Sequence, residues 1–164
     1  MPEKKVIERA EKDKREGKSE STQAGEFVRE EMHHVREGKH GARSPKQAIA
    51  IGLSKARRAG VRLKPPKKGT APEKTRRSAE RAYEKGAEGK TGTSRTRSRA
   101  ITGALKREGR SAASKKALSS QARSAASRRS ASARSAAARK AAKTKGPVQR
   151  SAAARKAART RAKG

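Results

Sequence analysis

Cysteine and tryptophan are both missing from this 164-residue chain, and phenylalanine and tyrosine occur once each, as Phe27 and Tyr83. Without thiols there are no disulfide staples and no thiolate metal sites. With two aromatic rings, the stacking platforms on which proteins hold single-stranded nucleic acid are all but ruled out. No apolar run approaches the roughly 18 residues of a membrane span. The N-terminal MPEKKVIERAEKDKREGKSE lacks the apolar stretch of a secretory signal, so a soluble, cytoplasmic protein is expected.

Acidic residues are the next scarcity. Fifteen Asp and Glu face 47 Lys and Arg, a formal charge of +32, and Glu108 is the last carboxylate. The imbalance is graded: residues 1–37 carry net −1, residues 38–108 net +16, and residues 109–164 hold 17 bases and no acid. A solvated surface intersperses both signs. A block of one sign repels itself until phosphates neutralise it, which is the footprint of a polyanion binder.

Large apolar side chains are also few. Alanine supplies 32 of the residues counted as hydrophobic; of the 17 Val, Ile, Leu, Met, Phe and Tyr, 12 precede Lys64. The last hundred residues hold only Tyr83, Ile101, Leu105, Leu118 and Val148, too little area to offset the entropy of ordering them. The expected fold is therefore mostly α with extensive disorder: a helix-loop-helix mini-domain followed by a basic arm that is helical in part or on binding.

What remains divides the chain into a charged leader (1–20), a helical mini-domain (21–64), a linker with short helices (65–108) and a basic repeat arm (109–164). Ala24, Phe27, Val28, Glu31 and Val35 recur at helical spacing, with Gly38 as a stop. In SPKQAIAIGLSKARRAG, Ser44 caps, Pro45 takes the first helical position, Gln47 completes a capping box and Gly60 supplies the left-handed turn. Gly52 in its middle costs about 1 kcal/mol against Ala and is suited to close approach of a neighbouring backbone. Val61 and Leu63 then alternate with Arg62 and Lys64 until Pro65 and Pro66. Further short helices are expected from Glu73 to Gly86 and from Ser98 to Glu108.

The arm repeats one phrase four times: RSAASKKA (110–117), RSAASRRS (123–130), RSAAARKA (134–141) and RSAAARKA (150–157). The starts are 13, 11 and 16 residues apart, which excludes a solenoid of constant period. On a helix the three bases of a cassette point about 0°, 140° and 240° around the axis, so no face is set aside for a core. Gly146-Pro147 separates the last two copies. If about eight of the arm's charges each neutralise a duplex phosphate, log K falls with log salt at a slope near −7. Nothing in the cassette reads base edges, so binding is expected to ignore sequence.

The other chemistries have little support. His33, His34 and His40 lie near Glu30, Glu31 and Glu37, but surface histidines beside a flexible loop are far commoner than ligands, and no metal site is expected. The single Asp, Asp13, sits in the leader, and Gly86-Ala-Glu-Gly89-Lys90-Thr91 lacks the spacing of a phosphate loop. Neither an enzyme nor a bound cofactor is expected.

The stretch GKHGARSPKQAIAIGLSKARRAGVRLKPPKKG, with its K-Q-A-I-A-I-x-L-S-x-A-R core from Lys46 to Arg57, resembles a family of small basic bacterial proteins of uncharacterised function over residues 24–68. The resemblance implies a bacterial cytoplasmic origin and DNA binding, and brings no catalytic residues. The arm is similar in composition to the tails of linker histones and bacterial histone-like proteins.

These readings converge on a histone-like, nucleoid-associated protein that grips duplex DNA without sequence specificity. Lys46, Lys55, Arg57 and Arg58 are expected to contact phosphates from the ordered helix. In the arm the contacts fall to Arg110, Lys115, Lys116, Arg123, Arg128, Arg129, Arg134, Arg139, Lys140, Lys143, Lys145, Arg150, Arg155, Lys156, Arg159, Arg161 and Lys163. RNA, including ribosomal RNA, is the alternative polyanion. Residues 21–64 are the alternative seat of function, as a surface for a protein partner or for self-association.

Overall fold

The computed structural model describes residues 2–89 and 94–162, apart from the side chains of Thr144 and Lys145, and every regular element among them is helical. In chain order these are α1 (Lys4–Arg15), α2 (Glu20–Glu37), α3 (Pro45–Arg58), α4 (Glu73–Ala87), α5 (Arg95–Lys106), a single 3₁₀ turn (Ser111–Ala113), α6 (Lys115–Ser127) and α7 (Ala131–Arg161). None of them is long and apolar enough to cross a membrane. The chain divides into two compact units, Met1–Gln121 and Ala122–Gly164.

Extensive disorder, and with it the expectation of an intrinsically disordered arm, is overturned by this succession of helices among the described residues. The expectation counted large side chains and discounted alanine. Alanine is the best helix former, and a helix satisfies its backbone hydrogen bonds within its own segment, so an Ala-rich stretch forms one without a large core. Where helices come close, an alanine methyl also fills the space that a Leu or Ile fills between more distant helices.

The local start and stop signals operate as the sequence suggests. Ser44 Oγ accepts from the backbone N–H of Gln47 at 3.3 Å, while Gln47 Oε1 accepts from the N–H of Arg43 at 2.7 Å, with Pro45 opening α3. Gly38 ends α2 at φ 78°, where Lys39 N–H reaches the His34 carbonyl at 3.0 Å. Such positive φ values favour glycine because a Cβ would clash with the chain.

In the first unit α2 is central, packing on both α1 and α3, while α3 packs in turn on α4. One end of α2 lies in a cluster of Val6, Ala10, Ala24, Phe27, Ala56 and Val61. The other lies in a cluster of Met32, Val35, Ala42, Ala48, Ala112 and Ala113. Between them α3 crosses so close to α2 that a Cβ on Gly52 would stand 2.7 Å from Val28 Cα. Gly86 gives α4 the same intimacy with α3, since a Cβ there would collide with the Arg57 carbonyl.

Two parts of the chain expected to lie outside the mini-domain are built into this unit. Residues 4–15 of the charged leader form α1, whose Val6 and Ala10 are buried against Ala24 and Phe27. Ala112 and Ala113 of the first cassette, 3% and 1% exposed, are core residues. The expectation that no cassette contributes to a core is thus corrected for this copy. Arg36 Nε fixes it by donating to the Ala113 carbonyl at 3.0 Å, and the 38–42 loop docks through Gly41 N–H on Leu105 O and Ala42 N–H on Gly109 O.

The crossing at Gly52 generates a paired prediction. Gly52→Ala forces α2 and α3 apart and should destabilise the fold by about 1–3 kcal/mol despite alanine's helix preference. Gly25→Ala, in α2 with nothing within 4 Å of the added Cβ, should stabilise it by up to about 1 kcal/mol. Urea unfolding of both variants checks the opposite signs.

Candidate nucleic-acid interface

The basic residues fall into two populations that composition does not separate. In the first unit many are consumed by local carboxylates or by the backbone. Arg9 pairs with Glu26 at 2.6 Å, Lys18 with Asp13 at 2.7 Å, and Lys39 with both Glu37 and Glu3. Arg76 and then Arg77 hold the Glu73 carboxyl down to about 2 by hydrogen bonding, so this acid remains a counter-charge throughout the neutral range.

The four α3 residues read as phosphate contacts are treated unequally by the fold. Lys46, near the start of the helix, is exposed. Lys55 turns inward, its Nζ 2.7 Å from Glu31 Oε2 and 3.8 Å from Glu30 Oε2. Arg57 is 6% exposed and donates from Nε to the Leu63 carbonyl at 3.0 Å and from Nη2 to the Lys64 carbonyl at 3.4 Å, stapling the extended 61–64 segment to α3. Burial pulls its guanidinium below the ordinary arginine value, as expected where water is removed from a cation. Arg58 is half-buried, and its Nε has no hydrogen-bond partner among the described residues.

The arm residues stand in the open. Arg110, Lys115, Lys116, Arg123, Arg128, Arg129, Arg134, Arg139, Lys140, Lys143, Arg150, Arg155, Lys156, Arg159 and Arg161 are all exposed. The Lys145 side chain and the whole of Lys163 lie outside the described residues, as do Lys90 and Thr91 of the loop-like GAEGKT wording. The second unit holds 14 Lys and Arg in 43 residues with no acid.

Within that unit α7 has no buried residue among those described and is two helical rods meeting at Gly146, whose φ of 66° and ψ of 170° break the helix ahead of Pro147. Each rod is about 22 Å long at 1.5 Å per residue, close to six base pairs of duplex. Ser130 Oγ caps the first by accepting from Ala133 N–H at 3.1 Å, and Arg150 Nε donates to the Gly146 carbonyl across the junction at 3.1 Å. Bases occupy every side of both rods, so a rod can lie on a phosphate lattice in any rotation.

The structure also joins residues that sequence reading left apart. Lys14 of α1, Arg62 of the extended segment and Tyr83 of α4 line a cavity of about 230 Å³ with Arg57 and Gly60. Only the outward alternation of Arg62 between Val61 and Leu63 hinted at one of them. His34 and His40 meet Glu31, with ring centroids 6.0 Å apart.

Residues 17–68 match a family described as a family of unknown function, DUF6496. The match covers α2, α3 and the extended segment that Arg57 holds. No curated protein and no solved structure matches the chain.

The unequal burial of two neighbouring cations gives a separable outcome. Arg57→Gln should destabilise the first unit by about 1–3 kcal/mol, because two backbone carbonyls lose a charged donor. Lys46→Gln should change stability by less than about 0.5 kcal/mol. Denaturant midpoints of the two variants measure the contrast.

Proposed function

We propose that this protein binds duplex DNA through its backbone, without sequence preference, as a histone-like, nucleoid-associated protein whose main grip is the second unit. The observation that carries the reading is the unit's surface: no described side chain of α7 is buried, and the unit contains no Asp or Glu. Like charges at i and i+4, such as Arg139 with Lys143 and Arg155 with Arg159, each cost a few tenths of a kcal/mol in water, about 0.2–0.5. Phosphates placed between them remove that repulsion, and the counterions they release supply the binding free energy.

Of the α3 residues, Lys46 fits the proposed contact set best. Lys55 and Arg57 serve the fold, since taking either to a phosphate would strand buried carboxylates or carbonyls. The break at Gly146 suits the proposal, because two short rods follow a curved duplex more closely than one straight rod.

Truncation after Gln121 keeps Ala112, Ala113 and Leu118 in the first unit and removes the acid-free second unit with its 14 bases, so it tests the grip without dismantling the core. If about half of the 14 lost bases contact phosphates, the full chain should show a log–log salt slope near −6 on duplex DNA. The truncated chain should retain a slope shallower than about −3. Fluorescence anisotropy against duplex DNA and duplex RNA of the same length measures both slopes. An unchanged slope on truncation removes the second unit as the grip, and a preference of more than about tenfold for RNA transfers the proposal to RNA.

A further inference from the structure

The buried end of α2 holds a group of ionisable side chains that polyanion binding does not use. Glu31 is fully buried, and neither of its carboxylate oxygens has a hydrogen-bond partner of proper geometry. Two nitrogens nevertheless stand close: Lys55 Nζ lies 2.7 Å from Oε2 and His40 Nε2 lies 3.1 Å from Oε1. The Lys55 ammonium attracts the carboxylate through its charge, and neither contact has the angles of a directed hydrogen bond. A buried carboxylate ordinarily has its lone pairs satisfied, so Oε1 has coordinating capacity left over.

His40 shows what Oε1 faces. Its Nδ1 lies 3.0 Å from the carbonyl of Gly41, an acceptor only, so Nδ1 carries the proton and donates. In the neutral ring Nε2 then presents a lone pair toward Glu31 Oε1. Two lone pairs at 3.1 Å repel unless a positive centre stands between them. Anchoring one ring nitrogen on a backbone carbonyl is also how metal-bound histidines are oriented.

A third donor converges on the same point. A ring nitrogen of His34, one turn along α2 from Glu31, lies with Glu31 and His40 such that all three donor atoms are within 4.8 Å of one another. In a tetrahedral site with bonds of about 2.0–2.1 Å, donor atoms stand about 3.3 Å apart. The Glu31–His40 separation already matches that spacing, and the His34 ring has only a short way to close. Glu3 and Glu30 form a second such group with His34, adding negative charge alongside. A cavity of about 210 Å³ lies beside this second group, with Arg9, Arg29 and Lys39 also in its lining.

We propose that Glu31, His34 and His40 form a binding site for one divalent transition-metal ion of the zinc class, with water as a fourth ligand. Two imidazoles and one carboxylate are a ligand set that zinc takes in tetrahedral geometry. Lys55 stays on Oε2, leaving Glu31 to bind through Oε1 alone. The site would tie α2 to the 38–42 loop, so that metal binding stabilises the first unit.

The test uses the untagged full-length chain, stripped with chelator and titrated with Zn²⁺ by calorimetry, with thermal melts with and without the ion. Expected are one ion per chain at micromolar affinity or tighter, a higher Tm with zinc, and the ligand-field absorption of tetrahedral Co²⁺ when cobalt replaces zinc. His34→Gln and His40→Gln should each weaken zinc binding by at least about tenfold and abolish the Tm rise. His33→Gln, exposed and outside both donor groups, should leave affinity and Tm rise unchanged. Circular dichroism of the metal-free variants establishes that each is folded; should one be unfolded, the other His variant and the Co²⁺ spectrum of the wild type decide. No saturable binding by the wild type, zinc affinity in both His34→Gln and His40→Gln within threefold of wild type, or an equal loss in His33→Gln overturns the site.

Discussion

A chain with one phenylalanine, no tryptophan and few branched aliphatics can bury apolar surface only if its helices approach closely. The first unit depends on that constraint. Gly52 lets α3 lie against the backbone of α2, Gly86 lets α4 lie against the end of α3, and Ala24, Ala48 and Ala56 sit fully buried nearby. A buried methyl group contributes on the order of 0.8 kcal/mol, so no single alanine secures anything. Their sum does, together with Phe27, Val6 and Val35, and only while the interhelical spacing stays short. Such packing has little tolerance for added volume, because neighbouring backbones cannot move aside as flexible side chains can.

Electrostatics divide the molecule along a different line from packing. The first unit holds all fifteen acids and pairs several of them locally: Glu73 with Arg76 and Arg77, Glu26 with Arg9, and the buried Glu30 and Glu31 with Lys55. The second unit has no Asp or Glu to offset its exposed bases. Surface pairs of the first kind contribute little stability each, about 0–1 kcal/mol. The cations they occupy are nonetheless less available to an external polyanion. A uniform count of Lys and Arg therefore overstates the first unit as a phosphate surface and understates the contrast with the second.

The four cassettes show how far wording and structure can part. Each reads R-S-A-A, yet Ala112 and Ala113 are core residues, while Ala136, Ala137, Ala152 and Ala153 face water on α7. What differs is the company. The first copy follows α5 directly, and the docked 38–42 loop and Arg36 bring it against Met32 and Val35. The last two copies lie on α7, where no described residue is buried. The histidines follow the same logic: in sequence His34 and His40 are separated by a glycine stop and a loop, and the left-handed turn at Gly38 folds that loop back until both rings meet Glu31.

Local signals are set by a few adjacent residues, and these the amino-acid sequence determined unaided: the ends of α2 and α3, the closeness that Gly52 permits, the extended Val61–Leu63 alternation and the break at Gly146-Pro147. The charge gradient is likewise a property of composition and needs no coordinates. Tertiary structure alone decided that the leader becomes α1, that one cassette of four is buried, that Lys55 and Arg57 turn inward, and that Glu31, His34 and His40 converge. Each of these depends on contacts between residues distant along the chain. For small side chains such contacts leave no periodic trace, because an alanine in a core and an alanine on a surface helix are written with the same letter.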